Sequence, residues 1–206
     1  MNQKPIGKRK QQARETRRKI VNCALRLFNE HGFENVSIEM ISENAGVSVG
    51  AIYHHFKSKE EIAAQSLVVL DEDYEIFLND LLTDPKYNTL SAFDKLKEFY
   101  IFVQVKSSEL DSVNFAYSYD LKNRQASILL VSEERTLYRG WKKLIDMCRE
   151  EGSISPELTD EELIRLLTYI SRGLLVDWLL KEGKQDMKEQ SRLVADHLLE
   201  GLRSRK

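Results

Sequence analysis

Apolar residues recur every three or four positions along almost the whole chain, and no stretch shows the strict alternation of a half-buried β-strand. The first stripe is Ile20, Ala24, Leu27 and Phe28, joined by Val21 and Cys23, and it predicts a helix over about residues 12–31. Gly32 follows as its terminator, because glycine takes a positive φ without steric cost. Three later helix starts pair a side-chain oxygen with a glutamate three residues on: Ser58 with Glu61, Thr159 with Glu162, and Asp186 with Glu189. The first two are capping boxes and the third is an acidic variant. Breaks fall at residues 83–88 (TDPKYN) and 152–156 (GSISP), with another near 122–124. The pattern predicts an all-α chain of about nine helices.

Residues 37–56 read S-I-E-M-I-S-E-N-A-G-V-S-V-G-A-I-Y-H-H-F and fit a helix-turn-helix. Ser37 caps a short helix whose inward face is Ile38 and Ile41; Ala45 is small where the helices cross, and Gly46 supplies the tight turn. Val47 plugs the core, Ser48 caps the second helix, and Ile52 and Phe56 anchor it. Once those positions are assigned, Val49, Gly50, Ala51, Tyr53, His54 and His55 are left on the open side. A glycine inside a helix costs about 1 kcal/mol, and close approach to a backbone or base edge gives Gly50 a reason to be there. The methyls of Val49 and Ala51 suit a thymine methyl. Tyr53, His54, Lys57 and Lys59 are donors of the kind that hold phosphates.

Charge sharpens this. The 206-residue chain has a net charge of only −2, yet Lys4, Lys8, Arg9, Lys10, Arg14, Arg17, Arg18 and Lys19 face the single Glu15 in the first 19 residues. A basic arm ahead of an acidic body steers that end toward a polyanion, although a solubilising tail has the same composition. Cys23 and Cys148 sit far apart in apolar stripes, with no metal-ligand spacing, and read as small buried hydrophobes in a reducing compartment. No apolar run approaches a membrane span and no leader is evident, so a cytoplasmic location and no metal or other cofactor are expected.

At this point the residues carry a family resemblance. Residues 16–70 resemble the DNA-binding domain of the tetracycline-repressor (TetR) family: Ala24-x-x-Leu27-Phe28 with His31-Gly32-Phe33, then an almost unbroken I-x-x-x-A-G-V-S-x-G-x-I-Y-x-H-F-x-S-K-E run from Ile41 to Glu60. The resemblance implies a homodimer that sets two such motifs about one helical turn apart on a palindromic operator. It also implies a C-terminal helical domain that dimerises through its last two long helices and binds a small effector. Carried over residue by residue, Ser37, Ser48, Tyr53, His54, His55 and Lys59 match phosphate-holding positions, and Val49, Gly50 and Ala51 match positions near base edges. Arg17 and Lys57 are counted with the DNA-binding set. Ser37 stands for the more usual Thr. Val49 and Ala51 are apolar where many members carry polar readers, which shifts sequence choice toward methyl contacts, DNA shape and the basic arm.

The expected division is a basic flexible arm over residues 1–13, the DNA-binding domain over 14–74, and an effector-binding and dimerisation domain over 75–206. Within the last, residues 161–181 are apolar on more than the one stripe of a surface helix, so the helix is either central to the domain or packs on a second copy. Leu167, Leu174, Trp178, Val194 and Leu198 are the expected dimer contacts. Phe102, Asn114, Tyr117, Trp141, Tyr169 and Trp178 are the expected effector-pocket residues, although core packing is the more ordinary role of each aromatic ring taken singly. No GxSxG, P-loop, GxGxxG or HExxH occurs, so catalysis is not expected. Two rival readings remain: an architectural or division-associated DNA binder without a ligand, and a partner-binding module whose helix-turn-helix no longer binds DNA.

Overall fold

The computed structural model describes residues 8–109 and 132–204. Among them are nine α-helices: α1 (Lys8–His31), α2 (Ile38–Ala45), α3 (Val49–His55), α4 (Lys59–Ala63), α5 (Ser66–Thr83), α6 (Ala92–Glu109), α7 (Thr136–Glu151), α8 (Asp160–Leu180) and α9 (Met187–His197). Short 3-10 turns follow α1, α5 and α9, and the described residues contain no named strand. The fold is all-α. The expected break near 122–124 lies outside the described residues.

Helix α1 starts at Lys8, so the arm expected to be flexible to residue 13 is helical in its second half. Lysine, arginine, glutamine and alanine are all strong helix formers, and no proline or capping residue stops the helix there. At the other end Gly32 adopts φ 81°, and the Phe33 ring packs tilted against Phe28 at 4.9 Å between ring centroids.

The described residues fall into two compact units divided between Val69 and Leu70. In the first, α1 packs on α2, α3 and α4. Its core is Ile20, Val21, Ala24, Leu25, Leu27 and Phe28 from α1, meeting Ile41, Ala45, Ile52, Phe56 and Ile62.

In the second unit α6 lies against α7, α8 and α9. Phe93, Phe99, Tyr100 and Trp141 are its largest wholly buried side chains. The Phe99 and Trp141 rings meet edge to face at 5.0 Å, the arrangement the ring quadrupoles favour. The approach of α6 and α7 depends on Gly140: a Cβ there would lie 2.6 Å from two carbons of the Phe99 ring. Arg135 forks onto both oxygens of Asp71 at 2.9 and 3.1 Å, tying the start of α7 to α5.

The predicted caps fold in three different ways. Thr159 forms the full capping box with Glu162 (2.8 and 3.2 Å). Asp186 accepts from the backbones of Lys188 and Glu189. Ser58 caps Glu61, but the Glu61 carboxylate accepts from the backbone of Lys57, one residue earlier than a capping box requires. The C-terminal segment is held by an antiparallel bridge between Ile154 and Arg203, and the Arg203 guanidinium sits 4.3 Å over the Phe93 ring.

Replacing Gly140 with Ala should cost about 1–3 kcal/mol, the usual penalty for overpacking a tight core. The readout is the urea midpoint at unchanged slope; an unaltered midpoint would show that α6 and α7 are not held this close.

Candidate DNA-recognition surface

The helix-turn-helix is assembled by local backbone chemistry. The Ser37 hydroxyl accepts from the Met40 N–H at 3.2 Å and starts α2. The helix ends at Gly46 in the left-handed region (φ 59°, ψ 41°), where a side chain would be strained. The Ser42 hydroxyl then donates to the Val47 carbonyl at 2.6 Å, and the Val47 N–H returns to Ser42 O at 3.1 Å, locking the turn from both sides. The Ser48 hydroxyl accepts from the Ala51 N–H at 3.1 Å and starts α3. Ile52 and Phe56, 0 % and 2 % exposed, hold that helix to the core.

Gly50, Tyr53 and His54 are therefore left exposed, with Val49, Ala51 and His55 half-buried beside them. A Cβ built on Gly50 would meet only Ser48 Oγ, at 3.9 Å, so nothing among the described residues requires glycine there. Tyr53 is 54 % exposed, an unusual setting for a large ring with a polar tip. The two histidine rings meet edge to face at 5.3 Å. Burial, then the neighbouring charges of His54 and Arg17, hold the His55 imidazole below its ordinary range, so it is neutral near pH 7.

Two cations of the expected set are committed inside the unit. The Lys59 ammonium donates to the carbonyls of Phe33 (2.7 Å) and Val36 (3.0 Å) and lies 4.3 Å over the Phe33 ring. It fastens the turn after α1 to α4. Arg17 donates to Gln65 and lies 5.6 Å over the Phe56 ring, bracing the end of α3. Lys57, by contrast, is exposed. Sequence reasoning left Lys19 in the basic segment without a specific place. Its ammonium lies 3.7 Å from where a Gly46 Cβ would be, directly over the turn. The only signal in sequence is its position on the helical face of α1 that meets α2.

In the second unit a groove of about 760 Å³ runs between α7 and α8. Tyr138, Ile164, Thr168 and Tyr169 line it together with cationic and acidic side chains, Glu133, Asp146 and Glu161 among the latter, and Arg172 donates to the Tyr138 hydroxyl at 2.9 Å. Of the expected pocket residues only Tyr169 is there. Phe102 stacks flat on Phe77 at 3.9 Å, Trp141 is wholly buried against Phe99, and the Trp178 indole N–H is used by Gln185 O at 2.9 Å. Helical spacing places these rings in packing layers. Asn114 and Tyr117 lie outside the described residues. Among the expected dimer contacts Leu167 is 0 % exposed and belongs to the unit's own core, one residue's rotation from the exposed Leu166. Leu174, Trp178 and Val194 are half-buried and Leu198 is exposed.

Among the described residues, four buried polar side-chain atoms have no hydrogen-bond partner: Asn22 Oδ1, Tyr100 OH, Trp141 Nε1 and Ser171 Oγ. Each such atom ordinarily costs about 1–3 kcal/mol. No group of three or more His, Cys, Asp or Glu among the described residues is placed to hold a metal ion, and no helix there is long and apolar enough to cross a membrane.

Comparison with known proteins agrees with this geometry. Residues 20–65 match the family described as bacterial regulatory proteins, tetR family. The chain is 28 % identical over 205 residues to the transcriptional regulator AcrR of Shigella flexneri, covering 94 % of this chain and 92 % of AcrR. It is 24 % identical over 177 residues to the transcriptional regulator UidR of Escherichia coli K12, covering 81 % and 83 %. Among solved structures it resembles the SmeT–triclosan complex with a TM-score of 0.72 at 21 % identity, covering 92 % of both chains. Residues 20–65 thus match the tetR family of bacterial regulatory proteins over the segment that holds the helix-turn-helix of α2 and α3, and the chain shares the fold of the SmeT structure.

Proposed function

We propose that this transcriptional regulator is a cytoplasmic homodimeric repressor that sits on a palindromic operator through two copies of α3 and leaves it when a small organic molecule binds the C-terminal unit. The observation that carries the reading is the bare face of α3: Gly50, Tyr53 and His54 make no demand on the protein's own core, and glycine is the residue that lets a helix lie closest to a groove wall. Ser37, Ser48 and Tyr53 hold phosphates by hydroxyl hydrogen bonds, Lys19 and Lys57 by charge, and Val49 and Ala51 meet base edges. Lys59 and Arg17 act from behind, by fixing the turn and the end of α3.

Support for a dimer comes from α8. Leu166, Tyr169, Val176 and Leu180 are exposed, with the exposed Gly173 between them. Their spacing of three, four, three and four residues is the seam of two helices packing side by side. Leu193 and Leu198 extend the apolar surface onto α9. An effector would act by binding unequally to the DNA-competent and DNA-incompetent arrangements of the dimer. The α7/α8 groove favours this over an architectural role, and SmeT, which the chain resembles, has been solved with triclosan.

Three measurements test the reading. Operator DNA selected from a random pool should be bound about ten- to a hundredfold more weakly by Tyr53→Ala and not detectably by Gly50→Glu, with the dimer intact in both; wild-type affinity of either variant would remove α3 from the groove. A double change of Leu166 and Leu180 to Glu should yield monomers in sedimentation and abolish operator binding; a persisting dimer would move the interface off α8. Finally, the neutral His55 should take up a proton beside a phosphate. Because its value in the unliganded protein is lowered, binding should strengthen as pH falls from about 8 to about 6. Anisotropy titrations should show that slope flattened in His55→Gln, and an equal slope in the variant would place the titrating group elsewhere.

A further inference from the structure

The groove between α7 and α8 carries an unequal charge balance. Among the described residues, five cations and three carboxylates line it. Lys142 is taken up by Asp146 at 2.6 Å and by Asp160 at 3.3 Å. That leaves Arg139, Lys143, Arg165 and Arg172 facing Glu133 and Glu161. Lys143 and Arg165 are exposed and form no ion pair among the described residues. The apolar part of the wall is Tyr138, Ile164 and Tyr169.

Arg139 joins this groove to α5. Asp71 and Glu75 on α5 meet Arg135 and Arg139 on α7 as a ladder of two ion pairs, four residues apart on both helices. The two rungs are unequal. Arg135 forks onto Asp71, and those side chains are only 11 % and 19 % exposed. Arg139 reaches Glu75 by one bond of 3.2 Å, and those side chains are 61 % and 50 % exposed. An ion pair so open to water contributes little, and the guanidinium can leave it at small cost. The buried fork keeps α7 on α5 when it does. Arg139 is thus free to turn to a guest in the groove without loss of the fold. The groove also stands clear of the exposed apolar seam of α8. Arg165, Thr168 and Arg172 share one face of that helix, about a quarter turn from Leu166, Val176 and Leu180, and Tyr169 belongs to both.

We propose that the α7/α8 groove is the effector site and that its effector is an organic anion, a carboxylate or a phosphate ester on an apolar body. The inference rests on the effector reading above and names its ligand class. Arg139, Lys143, Arg165 and Arg172 hold the charge, and Tyr138, Ile164 and Tyr169 seat the body. A guanidinium holds a carboxylate or phosphate through two parallel N–H bonds, which orients the guest as well as attracting it. The guest's oxygens take the place of the Glu75 carboxylate, so Glu75 is their competitor. An organic cation would meet like charges, and a neutral molecule could not displace Glu75.

The probes share a benzene ring: benzoate, phenyl phosphate, benzyl alcohol and benzylammonium, each at millimolar concentration and constant ionic strength. Binding is read by calorimetry and operator affinity by anisotropy. Benzoate, phenyl phosphate or both should bind the wild-type protein and lower operator affinity, and the anion that does so names the head group. Benzyl alcohol and benzylammonium should do neither. Arg139→Gln should weaken anion binding about tenfold, the loss of one charged contact. Glu75→Gln should strengthen it about two- to fivefold, because the competitor is gone. Both variants break the same rung, so a merely structural role for the ladder would move both affinities in one direction. Release of the operator by the alcohol or the ammonium compound, with neither anion bound, leaves the effector reading standing and overturns the anionic class. Anion binding that ignores both substitutions moves the site out of this groove. Anions that bind with the two opposite changes but leave operator affinity untouched keep the anion site and remove the effector role from it. Failure of both anions to bind overturns the inference.

Discussion

The burial of Ile52 and Phe56 is the contact on which the DNA-binding surface depends. Helix α3 has seven residues, about two turns, and a helix of that length does not persist in water by its own hydrogen bonds. It exists because two large side chains on one face are taken into the α1 core and because Ser48 supplies one of the missing acceptors at its start. The turn at Gly46 and Val47 then sets its angle, and Arg17 over the Phe56 ring braces its end. Each of these interactions is made on the inner side. The outer side is what remains, and its composition is set by a different requirement.

The C-terminal unit is built on the opposite balance. It buries four large aromatic rings yet leaves Leu166, Tyr169, Val176, Leu180, Leu193 and Leu198 outside, and it leaves hydroxyl and indole groups inside without partners. A monomer optimised for stability alone would do neither, since exposed apolar surface and unpaired buried polar atoms both cost free energy. Both kinds of departure lie on α6, α7, α8 and α9, the elements to which family resemblance assigns assembly and ligand binding.

How much of this was legible in the sequence follows from the range of the interactions. The helix-turn-helix was readable almost residue by residue, because its caps, its turn and its anchors act over three to five positions. The Thr159 box was readable for the same reason. What tertiary contact decides was not. Lys59 looks like a surface cation until its acceptors, 23 and 26 residues earlier, are known. Leu166 and Leu167 are the same residue type in adjacent positions, and only the rotational setting of α8 makes one exposed and the other core. Phe102, Trp141 and Trp178 suit a pocket wall and a packing layer alike, and only tertiary contact shows that Phe102 stacks on Phe77, Trp141 meets Phe99 and Trp178 bonds Gln185. The start of α1 at Lys8 was missed because no cap marks it; propensity alone carries the helix out to that point.

The open face of α3 has a consequence for how such a protein changes over generations. Because Gly50 and Tyr53 take no part in the core, substitutions there should change how the helix meets DNA while leaving the domain's packing in place. Their effects should therefore not be filtered by stability, as changes at Ile52 or Phe56 would be. A duplicated copy of this chain can explore new operators through a few positions on one short helix, with the scaffold inherited intact. Retargeting by design would begin at the same positions, and the fold would neither help nor resist.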